Sequence, residues 1–385
     1  MTHSSSRRGF LAAGMALSTA GSLRANPADA PKLEFRKLGR TGLEVTSLGF
    51  GCMLASDPAV LERAADIGIN YFDTARLYQN GNNERMAGAA LKGRRHKIVL
   101  SSKTMATTKE DALRDLDTSL RELGTDHLDI WYLHSKNTPG AITDDLIEAQ
   151  QIAKKAGKIR FPGVTFHFNM PDMLAHVVKL GCFDVALASY NFTMEPKVGE
   201  SIQTARQAGL GIVAMKVMAG GYARIRRGDR LYGQNPDHLT ERLKQPGAMV
   251  AALKWTLRNR WVDTAIIGMT NFDELDENVV AMSAPLSKQE EQLLAERRDA
   301  LAPLYCRMCG ACGGVCEKGV PVADALRCLT YAEGYGQFAL ARQRFLELPA
   351  AAREVRCGDC RACSVRCPNG VNVRGRLVRA QDLFA

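Results

Sequence analysis

Four ionisable residues stand at or just beyond the ends of apolar runs. Asp73 closes the run Ile69–Phe72 and Tyr78 follows five residues later. Ile98-Val99-Leu100 leads through two serines to Lys103, and Ile130–Leu133 leads to His134. Aspartate, tyrosine, lysine and histidine together are the parts needed to give a proton to a carbonyl oxygen. In a barrel of parallel strands the C-terminal strand ends share one face, where such residues converge on a ligand. Taken singly each has a plainer role: the aspartate as a helix cap, the tyrosine as core packing, the histidine as a satisfied buried ring. A second concentration of reactive side chains lies far downstream, where nine of the eleven cysteines follow Leu301.

The elements that must position the quartet follow from periodicity. Apolar, strand-like runs occur at Val45–Phe50, Ile69–Asp73, Ile98–Ser102, Leu128–Leu133, Phe161–Phe166, Val185–Tyr190, Gly211–Lys216 and Thr264–Gly268. Helical patterns separate them, among them Pro58–Asp66, Lys109–Leu123, Asp144–Ala156, Pro171–Leu180, Val198–Ala208 and Gly247–Asn259. Eight strands alternating with helices predict an α/β chain with a (β/α)8 barrel. An open doubly wound sheet is the competing arrangement, and no Gly-x-Gly-x-x-Gly follows the first strand to support it. Lys32–Glu44 predicts a short hairpin ahead of the barrel. Gly220–Gln245 predicts a long loop over its mouth.

At 385 residues and 46% hydrophobic, the chain exceeds one barrel. No apolar stretch approaches the roughly 20 residues of a membrane span. The formal charge is +10 with the basic residues dispersed, which argues against nucleic-acid binding. Ser6-Arg7-Arg8-Gly9-Phe10-Leu11 precedes a weakly apolar, Ala/Gly/Ser-rich run and the small-residue sites Leu23-Arg24-Ala25 and Ala28-Asp29-Ala30. This resembles a twin-arginine signal, which exports folded proteins to the periplasm; a disordered basic leader is the alternative. The organisation expected is a signal at 1–30, a barrel at 31–300 and a small, mainly helical domain at 301–385.

Residues 32–284 resemble the aldo/keto reductases. The motifs are Leu38-Gly39-Arg40-Thr41-Gly42, Phe72-Asp73-Thr74-Ala75, Tyr78, Glu84, Lys103, His134, Ser189-Tyr190-Asn191 and Glu277-Asn278. The resemblance implies that Tyr78 is the general acid, that Lys103 favours its phenolate, that Asp73 holds Lys103, and that His134 orients the carbonyl. A free tyrosine, with a pKa near 10, needs such help at neutral pH. It also implies a nicotinamide site at Thr165, Asn191, Gly268 and Asn278. Here the sequence departs from the family. Phe166 and Leu187 stand where polar partners of the carboxamide are usual, and Gly268-Met269-Thr270-Asn271-Phe272 carries no cation for a 2′-phosphate. Lys216 and the arginines of 222–230 are the available substitutes. NAD(P) is therefore expected as a weakened or altered ligand. His167 is expected to be an exposed loop residue, and Cys52, Cys182 and Cys328 packing residues.

Cys306-x2-Cys309-x2-Cys312-x3-Cys316 and Cys357-x2-Cys360-x2-Cys363-x3-Cys367-Pro368 resemble the bacterial dicluster ferredoxin motif. In that motif the fourth cysteine of each run reaches the other cube. The resemblance implies two [4Fe-4S] clusters, one on Cys306, Cys309, Cys312 and Cys367, the other on Cys357, Cys360, Cys363 and Cys316. Glu317 replaces the usual proline after the first run, and the 40 residues between the runs predict helices at Ala323–Leu329 and Phe338–Leu346. Disulfides or zinc are the alternatives. The expected function is an exported oxidoreductase on a small carbonyl or alcohol, passing electrons through its clusters to a redox protein. The alternative is a barrel with structural or docking clusters, acting as an ordinary NAD(P)-dependent reductase or binding a ligand. A hydride is two electrons and a cluster moves one, so any coupling needs a mediator.

Overall fold

The computed structural model describes residues 32–222 and 241–385. The signal expected at 1–30 and the arginines between 223 and 240 lie outside the described residues. Eight parallel strands close into a barrel: β3 (Leu48–Gly51), β4 (Tyr71–Asp73), β5 (Val99–Thr104), β6 (Leu128–Leu133), β7 (Ile159–Phe166), β8 (Val185–Ser189), β9 (Gly211–Met215) and β10 (Thr264–Ile267), with β10 paired to β3. Each expected strand is present, with one correction at the start. The run Val45–Phe50 is divided, because its first residues belong to the hairpin β1 (Phe35–Lys37) and β2 (Glu44–Thr46).

That hairpin closes the N-terminal end of the barrel. Leu38 joins the interior cluster of Tyr71, Val99, Ile130, Tyr132, Val185, Leu187 and Val213. Gly39 lies so close to β9 that a Cβ there would stand 2.2 Å from the Gly211 nitrogen, and its φ of +49° is left-handed. Only glycine suits both constraints. A second apolar layer, including Phe50, Phe72, Leu100, Trp131 and Phe166, faces the surrounding helices. The interior is a packed core, so a ligand is left only the mouth.

Helix starts follow local chemistry. Thr108, Thr143, Asn271 and Ser287 each accept a backbone N–H of the helix that follows, and Ser287 with Glu290 forms a capping box. Beyond the helix Lys288–Leu301 come helices at Val322–Leu329, Phe338–Leu346, Ala351–Glu354 and Val373–Phe384. The first two match the sequence reading within a residue; the last two are additional to it. They form a second apolar core from Val320 to Phe384, and Cys306 packs against both cores. Residues Lys32–Ala385 make one compact unit. The backbone joins the two parts where Asn169 donates to the Met308 carbonyl at 3.1 Å and Asn372 donates to that of Pro303 at 3.2 Å. No described helix is long and apolar enough to cross a membrane.

Candidate active site

Asp73 and Lys103 end β4 and sit within β5, in strands that pair side by side. The Lys103 ammonium donates to Asp73 Oδ2 at 2.5 Å and to the Thr74 carbonyl at 2.6 Å, and lies 3.5 Å from the Tyr78 hydroxyl. Ser101 donates to the other Asp73 oxygen at 2.7 Å. The buried carboxylate is thus satisfied on both oxygens, which a charge in a core requires.

Tyr78 lies beyond the strand, on a tight turn in which Gln79 and Asn80 take left-handed φ of 50° and 53°. Its neighbours hold that turn. Gln79 donates to the Ala55 carbonyl at 2.8 Å, Asn83 donates to that of Cys52 at 2.8 Å, and Thr74 donates to Asn83 at 2.7 Å. Arg76 is ion-paired with Glu84, whose other oxygen accepts from Ser102 of β5 at 2.6 Å. The tyrosine is therefore tied to the strand that carries Lys103. His134 follows β6, its ring edge-on to Tyr78 with centroids 6.2 Å apart.

Burial dominates the protonation of these groups. It pushes the Tyr78 hydroxyl well above the usual phenol range, and the nearby Asp73 charge pushes the same way. Lys103, the group expected to favour the phenolate, stands 4.9 Å from the ring centroid. The proton-bearing phenol is the form favoured, which suits a donor. Burial likewise holds His134 well below the ordinary imidazole value, with Lys103 and Arg327 adding repulsion. Its neutral ring retains one N–H to offer a carbonyl. Burial raises the Asp73 carboxyl, while Lys103 and Ser101 pull it back.

Asp73, Tyr78 and His134 line one cavity of about 480 Å³ at the barrel mouth. Of the four expected cofactor residues, Gly268 and Asn278 line it and Thr165 and Asn191 do not. The Thr165 hydroxyl accepts from Ser135 N–H at 2.8 Å. The Asn191 amide donates to the Lys216 carbonyl at 3.0 Å and the Tyr305 hydroxyl at 3.2 Å, and its oxygen accepts from Thr193 at 2.7 Å. Both are fully buried. His167 corrects the sequence reading: it is buried, lines the cavity, and faces His134 at 6.0 Å between ring centroids. A strand-end signal was available, since His167 follows β7 as His134 follows β6. Also unforeseen, Arg327, Tyr331, Tyr335 and Arg344 reach the cavity from the segment between the two cysteine runs.

No disulfide joins any of the eleven cysteines. Cys316, Cys357, Cys360 and Cys363 line a second cavity, of about 420 Å³. Cys309, Cys312 and Cys367 are electrostatic neighbours of Cys306. Among the described residues no three His, Cys, Asp or Glu side chains converge closely enough for a single ion. Cys52 and Cys328 are buried among apolar neighbours and Cys182 is half-buried.

Known proteins share the barrel. The aldo/keto reductase family model matches residues 55–298. L-galactose dehydrogenase of Arabidopsis thaliana is 26% identical over 71% of this chain and 96% of its own length. L-glyceraldehyde 3-phosphate reductase of Escherichia coli K12 is 27% identical over 67% of this chain and 90% of its own. The solved structure of an aldo-keto reductase of Bacillus halodurans in its holo form, 28% identical, superposes with a TM-score of 0.59 over 69% of this chain and 96% of its own. The family match covers more than half of the chain, and the closed barrel with Asp73, Tyr78, Lys103 and His134 at its mouth accords with it. The chain is an oxidoreductase-type enzyme of the aldo/keto reductase family.

Proposed function

We propose that the chain is an exported oxidoreductase interconverting a small carbonyl compound and its alcohol, with Tyr78 carrying the proton and two iron–sulfur clusters as its redox centres. The contact of Lys103 with Tyr78, held by Asp73 inside a cavity of ligand size, carries the reading. The His134 ring would hydrogen-bond the carbonyl oxygen and Tyr78 would deliver its proton to the same atom, while the carbon takes a hydride from a two-electron mediator of the flavin kind, which the one-electron clusters would recharge in two steps. Lys103 stabilises the phenolate left behind, and Asp73 keeps Lys103 from relaxing away. The names of the relatives point to hydroxylated, sugar-sized substrates.

Two observations support the clusters. The neighbours of Cys306 and the cysteines around the second cavity are the two crossed sets that the motif implies. A cube also holds its thiolates farther apart than a single ion would, which suits four cysteines around a cavity. Clusters there would supply one-electron transfer. NAD(P) fits less well. Asn191 and Thr165, two of its expected binding residues, are engaged elsewhere, so no step is assigned to it. The alternative, an ordinary nicotinamide-dependent reductase with structural clusters, rests on Gly268 and Asn278 opening onto the cavity. The leader suits export of a protein that must fold around its metal first.

Replacing Tyr78 with Phe tests the acid role. Turnover is expected to fall at least 100-fold, and unchanged turnover would sink the assignment. Titration with NADH and NADPH separates the two readings of the redox partner, since tight binding of either favours the alternative.

A further inference from the structure

The wall that the C-terminal segment adds to the cavity is cationic and incompletely neutralised. Arg327, on the helix Val322–Leu329, has a side chain only 17% exposed. Its Nη2 pairs with Asp324 at 2.9 Å, and its guanidinium lies 5.5 Å from the Phe168 ring centroid. Its Nε and Nη1 atoms are shut off from solvent with no hydrogen-bond partner. A buried donor left in that state is costly, and more so when it is charged. Lys216 leaves β9 at a left-handed φ of 58°, with its ammonium 5.5 Å from the Tyr331 ring centroid. No carboxylate among the described residues pairs with it. The buried Nδ1 atoms of His134 and His167 also lack partners.

The acids of the cavity do not answer this charge. Asp73 is engaged by Lys103, and Glu347 is paired with Arg344 at 2.5 Å. Glu274 accepts the Thr270 N–H at 2.7 Å. Neither Glu274 nor Glu277 forms an ion pair with Arg327, Lys216 or Arg344. The free N–H groups on Nε and Nη1 can each donate to an oxygen of a carboxylate or phosphate, and the neighbouring ammonium adds charge.

We propose that the cavity takes a carbonyl or alcohol substrate bearing a carboxylate or phosphate group, the oxyanion held by Arg327 and Lys216 while the reacting carbon lies against Tyr78. The proposal rests on the Tyr78 reading only for the place of the reacting carbon. It makes the segment between the cysteine runs, and not the barrel alone, the part that selects the substrate. The competing role for Arg327 is to offset the charge of Cys306 nearby; a guanidinium doing only that binds no added anion.

The test is calorimetric titration of the full chain, purified anaerobically, with 4-carboxybenzaldehyde, its uncharged amide 4-formylbenzamide, and inorganic phosphate. The acid is expected to bind at least tenfold more tightly than the amide, and that ratio should collapse in Arg327→Gln and recover in part in Arg327→Lys. Phosphate that displaces the acid marks a site for phosphate esters; phosphate that does not marks one for carboxylates. Equal binding of acid and amide overturns the proposal, as does failure of both anions to bind. A preference that survives in Arg327→Gln and in Lys216→Gln also overturns it. Lys216→Gln carries the test if Arg327→Gln loses its iron or does not fold. Because binding is read and not turnover, the same titration on Tyr78→Phe separates the two failures. Anion preference there with unaltered turnover sinks the acid assignment alone.

Discussion

His134 and His167 are close neighbours with tilted rings among Lys103, Lys216 and Arg327, and burial holds both imidazoles well below their ordinary value. The consequence for stability has a definite sign. Between the folded value and the unfolded value near 6.5, the unfolded chain binds more protons. The stability these rings permit is therefore fully present above about pH 6.5 and lost as pH falls toward the folded value, at up to about 1.4 kcal/mol per unit for each ring. Asp73 and Glu84, whose carboxyls are raised by burial, act in the opposite sense. Comparison with a variant removes that background. His167→Gln should lose less stability than the parent between pH 7.5 and 5.5, measured by urea unfolding; equal losses would show that His167 is not held neutral. The strand-end pattern exposed Asp73 and His134, which follow apolar runs directly, and Lys103, which follows one after two serines. Tyr78 needed the family order, since a turn of left-handed residues carries it away from its strand. His167 obeyed the strand-end rule and was passed over for want of a family role. Lys216 ends β9 in the same way.

The element that completes the site is the wide turn Thr330–Gly334 between two C-terminal helices. Its backbone packs against the loop after β9 so closely that a Cβ on Gly334 would stand 2.4 Å from the Gly220 carbonyl oxygen. Neither backbone can yield as a flexible side chain does, so one element must move. Gly334→Ala should cost roughly 1–3 kcal/mol and push Tyr331 and Tyr335 away from the mouth. A lowered thermal midpoint together with weaker binding of 4-carboxybenzaldehyde is the expected pair of results. An unchanged midpoint and unchanged affinity would mean that this approach does not shape the cavity. Both helices were legible from their apolar spacing, with Val322–Leu329 one residue longer than read. Their position was not. Periodicity tells which face of a helix is buried but not what buries it, so spacing alone does not distinguish Arg327 from a surface cation. The contact that places it depends on two glycines more than 100 residues apart.

At the scale of the molecule, two apolar cores meet at Cys306, which packs against both. Ion pairs and hydrogen bonds brace each part on its own side of that contact. Arg376 and Arg379 converge on Glu333 at 2.6 and 3.1 Å, and the buried Arg297 donates to the carbonyls of Leu243 and Gly221. Alternating runs exposed the barrel, and the doubled cysteine spacing marked out the segment that carries the two cysteine sets. That the two parts share a cavity depends on contacts between segments distant in the chain, which no local pattern encodes. The sharing makes the two cysteine sets unequal. The set around Cys306 adjoins the barrel, whereas Cys357 lies in the second core with Cys316, Cys360 and Cys363 around their own cavity. If each set holds one cube, Cys306→Ala and Cys357→Ala should each remove about four of eight irons per chain. Their further effects should differ. Cys306→Ala should lower the thermal midpoint of the whole unit and weaken 4-carboxybenzaldehyde, because the support behind Arg327 and Tyr305 is lost. Cys357→Ala should leave the barrel site closer to the parent. Iron analysis, thermal unfolding and the anion titration on both variants check this. Full iron retained in both would refute the crossed ligand sets, and equal damage to anion binding would refute the unequal coupling of the two sets to the barrel.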